Sequence, residues 1–131
     1  MFLDASAIIA IIAREADGAA LAGRLRQADQ MHTSPIAIYE TVLGLVRVGN
    51  TSIQDTQLIV DSLLKEAQAR VVPITDEIGR AALSAFDRYG RGRHPAALNM
   101  GDCFAYACAR QLDLPLLFKD EDFPLTDITI A

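Results

Sequence analysis

Residues 1–13, MFLDASAIIAIIA, decide how the chain is read. Met1, Phe2 and Leu3 form a short apolar run that ends in Asp4. The alanines and isoleucines that follow suit a buried helix packed on a sheet, so the segment reads as strand then helix. The apolar stretch is well short of the ~20 residues a membrane span needs. Asp4 also precedes it where a signal peptide would carry positive charge. The expectation is a cytoplasmic chain with no membrane partner.

The same alternation continues outward. A helix is expected over residues 17–29, with Ala20, Leu21, Leu25 and Ala28 on one stripe, and MHTS (31–34) is a weak strand candidate. Ser34-Pro35 has the form of an N-cap followed by proline at the first helical position, opening a helix that Gly49 is placed to stop. Residues 52–70 form an amphipathic helix, VVPI (71–74) a strand, and TDEIGRAALSAFDRYG (75–90) a helix favoured at its start by Thr75, Asp76 and Glu77. NMGDCFAYACARQLD (99–113) is a further helix, LPLLF (114–118) a strand, and DITIA (127–131) a possible last one. Strands alternating with helices imply an α/β fold: one domain over residues 1–131, its central, mostly parallel sheet covered by helices on both faces.

At 131 residues, 51% of them hydrophobic and with no tryptophan, the chain has enough apolar material for one real core. Cys103 and Cys108 are five apart in one expected helix, on different faces. They suit neither a disulfide nor zinc and read as small core residues. The net charge of −5 argues against nucleic acid as a partner when taken alone. The distribution modifies that view, because residues 88–101 contain no acid while Arg88, Arg91, Arg93 and His94 crowd together.

In open parallel sheets, ligands bind outside the carboxyl ends of the strands. Asp4 ends the first strand, and Asp120, Glu121 and Asp122 follow LPLLF. Asp102 stands in the first turn of the helix beginning near Asn99. Glu40 lies inside a helix so apolar that its carboxylate must find a partner, a proton or a metal. Each acid also has a local reading. Asp4 can cap its helix, Asp102 can close a capping box with Asn99, Glu40 can point toward Arg47, and the KDEDF acids can be a solvated turn. Their joint placement on one edge favours an all-oxygen site suited to Mg²⁺ or Mn²⁺ rather than zinc. The chemistry implied is metal-assisted phosphodiester hydrolysis. Ser6, two residues after Asp4, can hydrogen-bond a carboxylate or a water, or cap locally.

MFLDASAIIA, SPIAIYETVLGL, LNMGDCFAYACA and LPLLFKDEDFPLTDI, in this order and over nearly the whole chain, resemble the PIN-domain ribonucleases. The likeness is greatest to the VapC toxins of VapBC toxin–antitoxin pairs. The resemblance implies a PIN-like nuclease domain and a Mg²⁺- or Mn²⁺-dependent endoribonuclease. Such an enzyme inhibits translation by cutting a structured RNA of the tRNA or rRNA class, and a VapB-type antitoxin neutralises it. By motif position Asp4, Glu40 and Asp102 match the family's principal acids, and Ser6 the hydroxyl residue that follows the first. Asp120 and Asp122 both fit the fourth acid, with Asp122 preferred. The resemblance also implies a homodimer, which would bring two copies of the Arg88–His94 loop beside the active sites. That loop reads either as a solvated connection or as an RNA-binding segment, with Arg91 and Arg93, in the acid-free stretch next to the helix carrying Asp102, as the expected phosphate contacts.

Two other chemistries fail on residues. A haloacid-dehalogenase-like phosphatase needs an acid two positions after its nucleophilic Asp, where this chain has Ser6. A phosphoacceptor signalling domain needs an acidic pair after the first strand. The alternative that stands is a catalytically inactive α/β partner-binding module, which RNA cleavage would exclude.

Overall fold

The computed structural model describes residues 1–119 and 121–131. Strands β1 (Phe2–Leu3), β2 (His32–Thr33), β3 (Arg70–Val71) and β4 (Leu116–Leu117) form a parallel sheet in the order β3-β2-β1-β4. Phe2 pairs with His32 on one side and Leu116 on the other, and His32 pairs in turn with Arg70. Successive residues separate the faces. Phe2 and Leu116 enter one core with α5 (Asp76–Tyr89) and α6 (Met100–Gln111). Leu3 and Leu117 enter the other, with residues from α1 (Ala5–Ile12), α2 (Gly18–Arg26), α3 (Pro35–Gly49) and α4 (Ile53–Glu66). This period of two buries β1 and β4 on both faces, while the edge strand β3 stays exposed.

Local chemistry sets most helix starts as expected. Ser34 accepts from the Ala37 amide with Pro35 at the first position, Thr75 caps α5, and Asn99 caps α6. Each such cap is worth about 1 kcal/mol. At the end of α3, however, Gly49 is the last helical residue, and Asn50 takes the left-handed cap at φ 49°. Asparagine tolerates that conformation, so the stop falls one residue later than Gly49 suggests. The helices expected over 17–29 and 52–70 are shorter, ending at Arg26 and Glu66. In the second case Gln68 turns left-handed at φ 52° and Arg70 is already paired in β3. Pro73 lacks the N–H a ladder needs, so VVPI contributes only Val71 to that strand. DITIA forms a single parallel bridge, Leu116 to Ile130, closed by Leu116 N–H to Thr129 O at 2.8 Å.

The chain runs β1, β2, β3 in one direction across the sheet and then crosses back to place β4 on the far side of β1. The strand order therefore reverses between β1 and β4, and their carboxyl ends define the crevice where such sheets bind ligands. Cys103 and Cys108 are buried, free thiols, both pushed up to about 11, Cys108 by burial and Cys103 by burial and then Asp102. Among the described residues no helix is long and apolar enough to cross a membrane.

Candidate active site

Asp4 leaves β1 at that crevice. Its amide donates to Leu117 O at 3.0 Å, fastening it to the end of β4, and the residue is 4% exposed. Asp4 Oδ2 accepts from the Ser6 amide at 2.9 Å, which caps α1, and from Ser6 Oγ at 2.6 Å. Ser6 Oγ accepts in turn from the Lys119 amide at 3.0 Å. The hydroxyl therefore joins the first acid to the chain leaving β4. Lys119 also pairs through Nζ with Glu15, holding that chain against the far end of the α1 region.

Asp102 is the third residue of α6, and the capping box is complete: Asn99 N–H donates to Asp102 Oδ2 at 2.8 Å, and Asp102 N–H to Asn99 Oδ1 at 3.0 Å. The local readings of Asp4 and Asp102 thus hold alongside the cluster, because capping is what fixes the orientation of each carboxylate. Glu40, half-buried on α3, turns toward these acids instead of toward Arg47. Its carboxyl is pushed up to about 7, first by burial, then by the negative fields of Asp4 and Asp102. Its carboxylate lies against Gly101, where a Cβ would collide with both of its oxygens. Asp4, Glu40 and Asp102 are therefore brought together from three separate segments.

Asp122 is half-buried at the start of the 3-10 turn Phe123–Leu125, and its side chain makes no capping bond there. Its neighbour Phe123 is fully buried against Phe118 with ring centroids 5.0 Å apart, burial worth about 1.5–3 kcal/mol. Phe123 thus anchors the chain immediately after Asp122. Among the described residues, Asp4 and Asp102 are the acids whose fields act on Glu40. Asp120 lies outside the described residues. Among the described residues no group of three or more His, Cys, Asp or Glu side chains is placed so as to hold a metal ion.

The basic loop is closed rather than loose. Leu98 N–H donates to Tyr89 O at 2.9 Å and Arg91 N–H to Leu98 O at 3.1 Å, with Ala96 and Leu98 fully buried. Arg91 is exposed. Arg93 pairs with Asp87 at 2.8 Å and stands over the Phe86 ring, but both charges are mostly exposed, so the pair holds it weakly.

Residues 1–128 match the PIN domain family model. Full-length similarity carries the assignment further: a VapC ribonuclease of Rhizobium meliloti is 38% identical, with 97% of this chain and 98% of that protein aligned. The chain belongs to the VapC ribonucleases of the PIN-domain family. The fold agrees. VapC20 of Mycobacterium tuberculosis, described as a sarcin-ricin loop cleaving toxin, superposes with a TM-score of 0.76 at 18% identity, covering 99% of this chain and 97% of that one. A toxin–antitoxin complex from Klebsiella pneumoniae gives 0.71 at 16% identity, covering 99% and 95%.

Two features of this VapC-family structure, one in the site and one outside it, carry no signal in the sequence. One is Gly101, whose contact with Glu40 joins positions far apart in the chain. The other is the fastening of the C-terminal segment, where Tyr106 donates to Asp127 and Arg88 pairs with Asp127 at 3.6 Å. Asp127 is held below the usual carboxylate range, chiefly by the Tyr106 hydroxyl.

Proposed function

We propose that this chain is a Mg²⁺- or Mn²⁺-dependent endoribonuclease toxin acting on a structured RNA of the tRNA or rRNA class. The observation that carries the reading is Glu40 facing Asp4 and Asp102 at the switch point of the sheet, in a chain of the VapC family. The donor set supports a hard cation, because it is all oxygen and its bare charges oppose one another. Asp4, Glu40, Asp102 and Asp122 would hold it. When bound, such an ion supplies Lewis acidity toward an attacking water and the leaving oxygen of a phosphodiester.

The chain's own residues prepare that chemistry. Asp4 is fixed by Ser6, and Asp102 by Asn99, so two carboxylates are oriented before any ligand arrives. Glu40 approaches from α3 and closes the third side. Arg91 and Arg93 stand on the loop leading into α6 and would meet phosphates of the RNA on either side of the cut. Family membership and the toxin–antitoxin complex among its structural neighbours support a VapB-type antitoxin as partner, and family resemblance supports a homodimer.

The test is cleavage of total cellular RNA by the purified chain with Mg²⁺ or Mn²⁺, repeated in excess EDTA. Cleavage that EDTA abolishes is the expected result. Undiminished cleavage in EDTA overturns the metal mechanism, and no cleavage under any condition favours the inactive partner-binding module.

A further inference from the structure

We propose that Gly101 is a positioning residue, kept without a side chain so that the Glu40 carboxylate can seat against the first turn of α6, facing Asp4 and Asp102. Gly101 is buried and is the second residue of the helix. Its φ lies outside the left-handed range, so the backbone gives no reason for glycine there, and alanine is the better helix former. The reason is spatial. The three heavy atoms nearest to a Cβ at 101 are Oε1, Oε2 and Cδ of Glu40. By contrast, Gly23 and Gly79, also in helices, have nothing within 4 Å of that position. Of the chain's 8 glycines, Gly101 is the one whose missing Cβ is replaced by a carboxylate.

The atoms in the way are the tip of a flexible side chain rather than backbone. A methyl group at 101 would therefore leave the fold intact and displace the carboxylate, letting it swing away from the other acids toward water. The electrostatic consequence is separable from stability: with Glu40 displaced, its repulsion with Asp4 and Asp102 falls, and so does its capacity to share a cation with them. Gly101 thus controls where a charge sits, and acts on the reaction only through Glu40.

The experiment is a double-mutant cycle of the parent, Gly101→Ala, Glu40→Ala and the double variant, read by metal-free melting in EDTA at pH 8 and by Mn²⁺ titration calorimetry. Gly101→Ala should fold, melt level with or above the parent, and bind Mn²⁺ about tenfold or more weakly, close to Glu40→Ala. Once Glu40→Ala is in place, adding the glycine change should leave Mn²⁺ affinity where the first substitution put it. Glu40→Ala should also alter metal-free melting less when combined with Gly101→Ala than it does in the parent. Additive effects in the metal-free melts overturn the seat whatever the protein's activity, as does Gly101→Ala with parental Mn²⁺ affinity. The Mn²⁺ readout rests on the proposed metal-dependent reading. A parent that binds no Mn²⁺, with non-additive metal-free melts, overturns that reading and supports the seat.

Discussion

Ser6 Oγ donates to Asp4 Oδ2 at 2.6 Å, a short contact between the first acid of the site and a hydroxyl that itself accepts from the Lys119 amide. One atom thereby ties the exits of β1 and β4 together at the switch point of the sheet. In Ser6→Ala the backbone amide that caps α1 remains, so only this bridge is lost. The expected outcome is a stability loss of about 1 kcal/mol together with roughly tenfold or greater weakening of Mn²⁺ binding. Calorimetry and RNA cleavage check it. Parental values of both would reduce Ser6 to a local hydrogen bond.

Glu40 makes a pH prediction of definite sign. Its folded-state pKa is raised from 4.5 to about 7. The stability associated with its neutral form is fully present below 4.5, declines as the unfolded chain ionises first, and is lost as pH rises through about 7. In EDTA, Glu40→Gln should therefore gain stability relative to the parent between about pH 5 and 8, a gain on the order of one pH-linked proton across that window. Melting curves of both proteins at several pH values measure it. A constant difference across the window would show that Glu40 is not held against its neighbours' charge.

Asp127 should behave in the opposite sense. Its folded-state pKa is lowered, chiefly by the Tyr106 hydroxyl, so the stability it contributes is present above its unfolded value and lost as pH falls through the folded one. Tyr106→Phe should cost about 1 kcal/mol near neutrality, with little cost in strong acid, and should leave RNA cleavage at the parental rate at a temperature where both proteins are folded. Chemical denaturation of both proteins at a series of pH values from about 7 downward into strong acid follows the fading of this cost. Lost cleavage with intact stability would place the C-terminal segment in the site.

What the sequence makes legible follows the range of the interactions. Helix starts at Ser34, Thr75 and Asn99 are decided within three residues and are readable directly. The alternation of Phe2 with Leu3 and Leu116 with Leu117 reveals central strands buried on both faces. The strands are shorter than their apolar runs, because Pro73 and the departure of the chain toward helices end the ladders before hydrophobicity does. The local and functional readings of Asp4 and Asp102 do not compete, since each acid caps a helix and faces the cluster. The seat of Glu40 is not readable, because nothing near residue 40 announces a glycine at 101.

The basic loop offers a comparison between two arginines. Arg91 is exposed, whereas Arg93 is drawn toward Asp87 and Phe86 by contacts too exposed to hold it firmly. If both meet phosphates, Arg91→Ala and Arg93→Ala should each reduce the slope of log K against log salt by roughly 0.7–0.9, with stability changes below about 1 kcal/mol. RNA binding at several salt concentrations, in a cleavage-deficient background, gives the slopes. Unchanged slopes would return the loop to a solvated connection between α5 and α6.

Asp102 tests whether capping and chemistry can be pulled apart in one residue. Asp102→Asn keeps the shape and an oxygen able to accept the Asn99 amide, so the capping box can survive. It removes a charge that opposes Glu40. The metal-free melting temperature should therefore stay level or rise. RNA cleavage should be lost, and Mg²⁺ should stabilise the variant less than the parent, because stabilisation by a ligand follows its affinity. Were Asp102 mainly a structural cap, the same change would lower stability and leave cleavage largely intact. Thermal melts with and without Mg²⁺, run beside the cleavage assay, distinguish the two. A destabilised variant that still cuts RNA would remove Asp102 from the site and leave Asp4 and Glu40 without a third acid on α6.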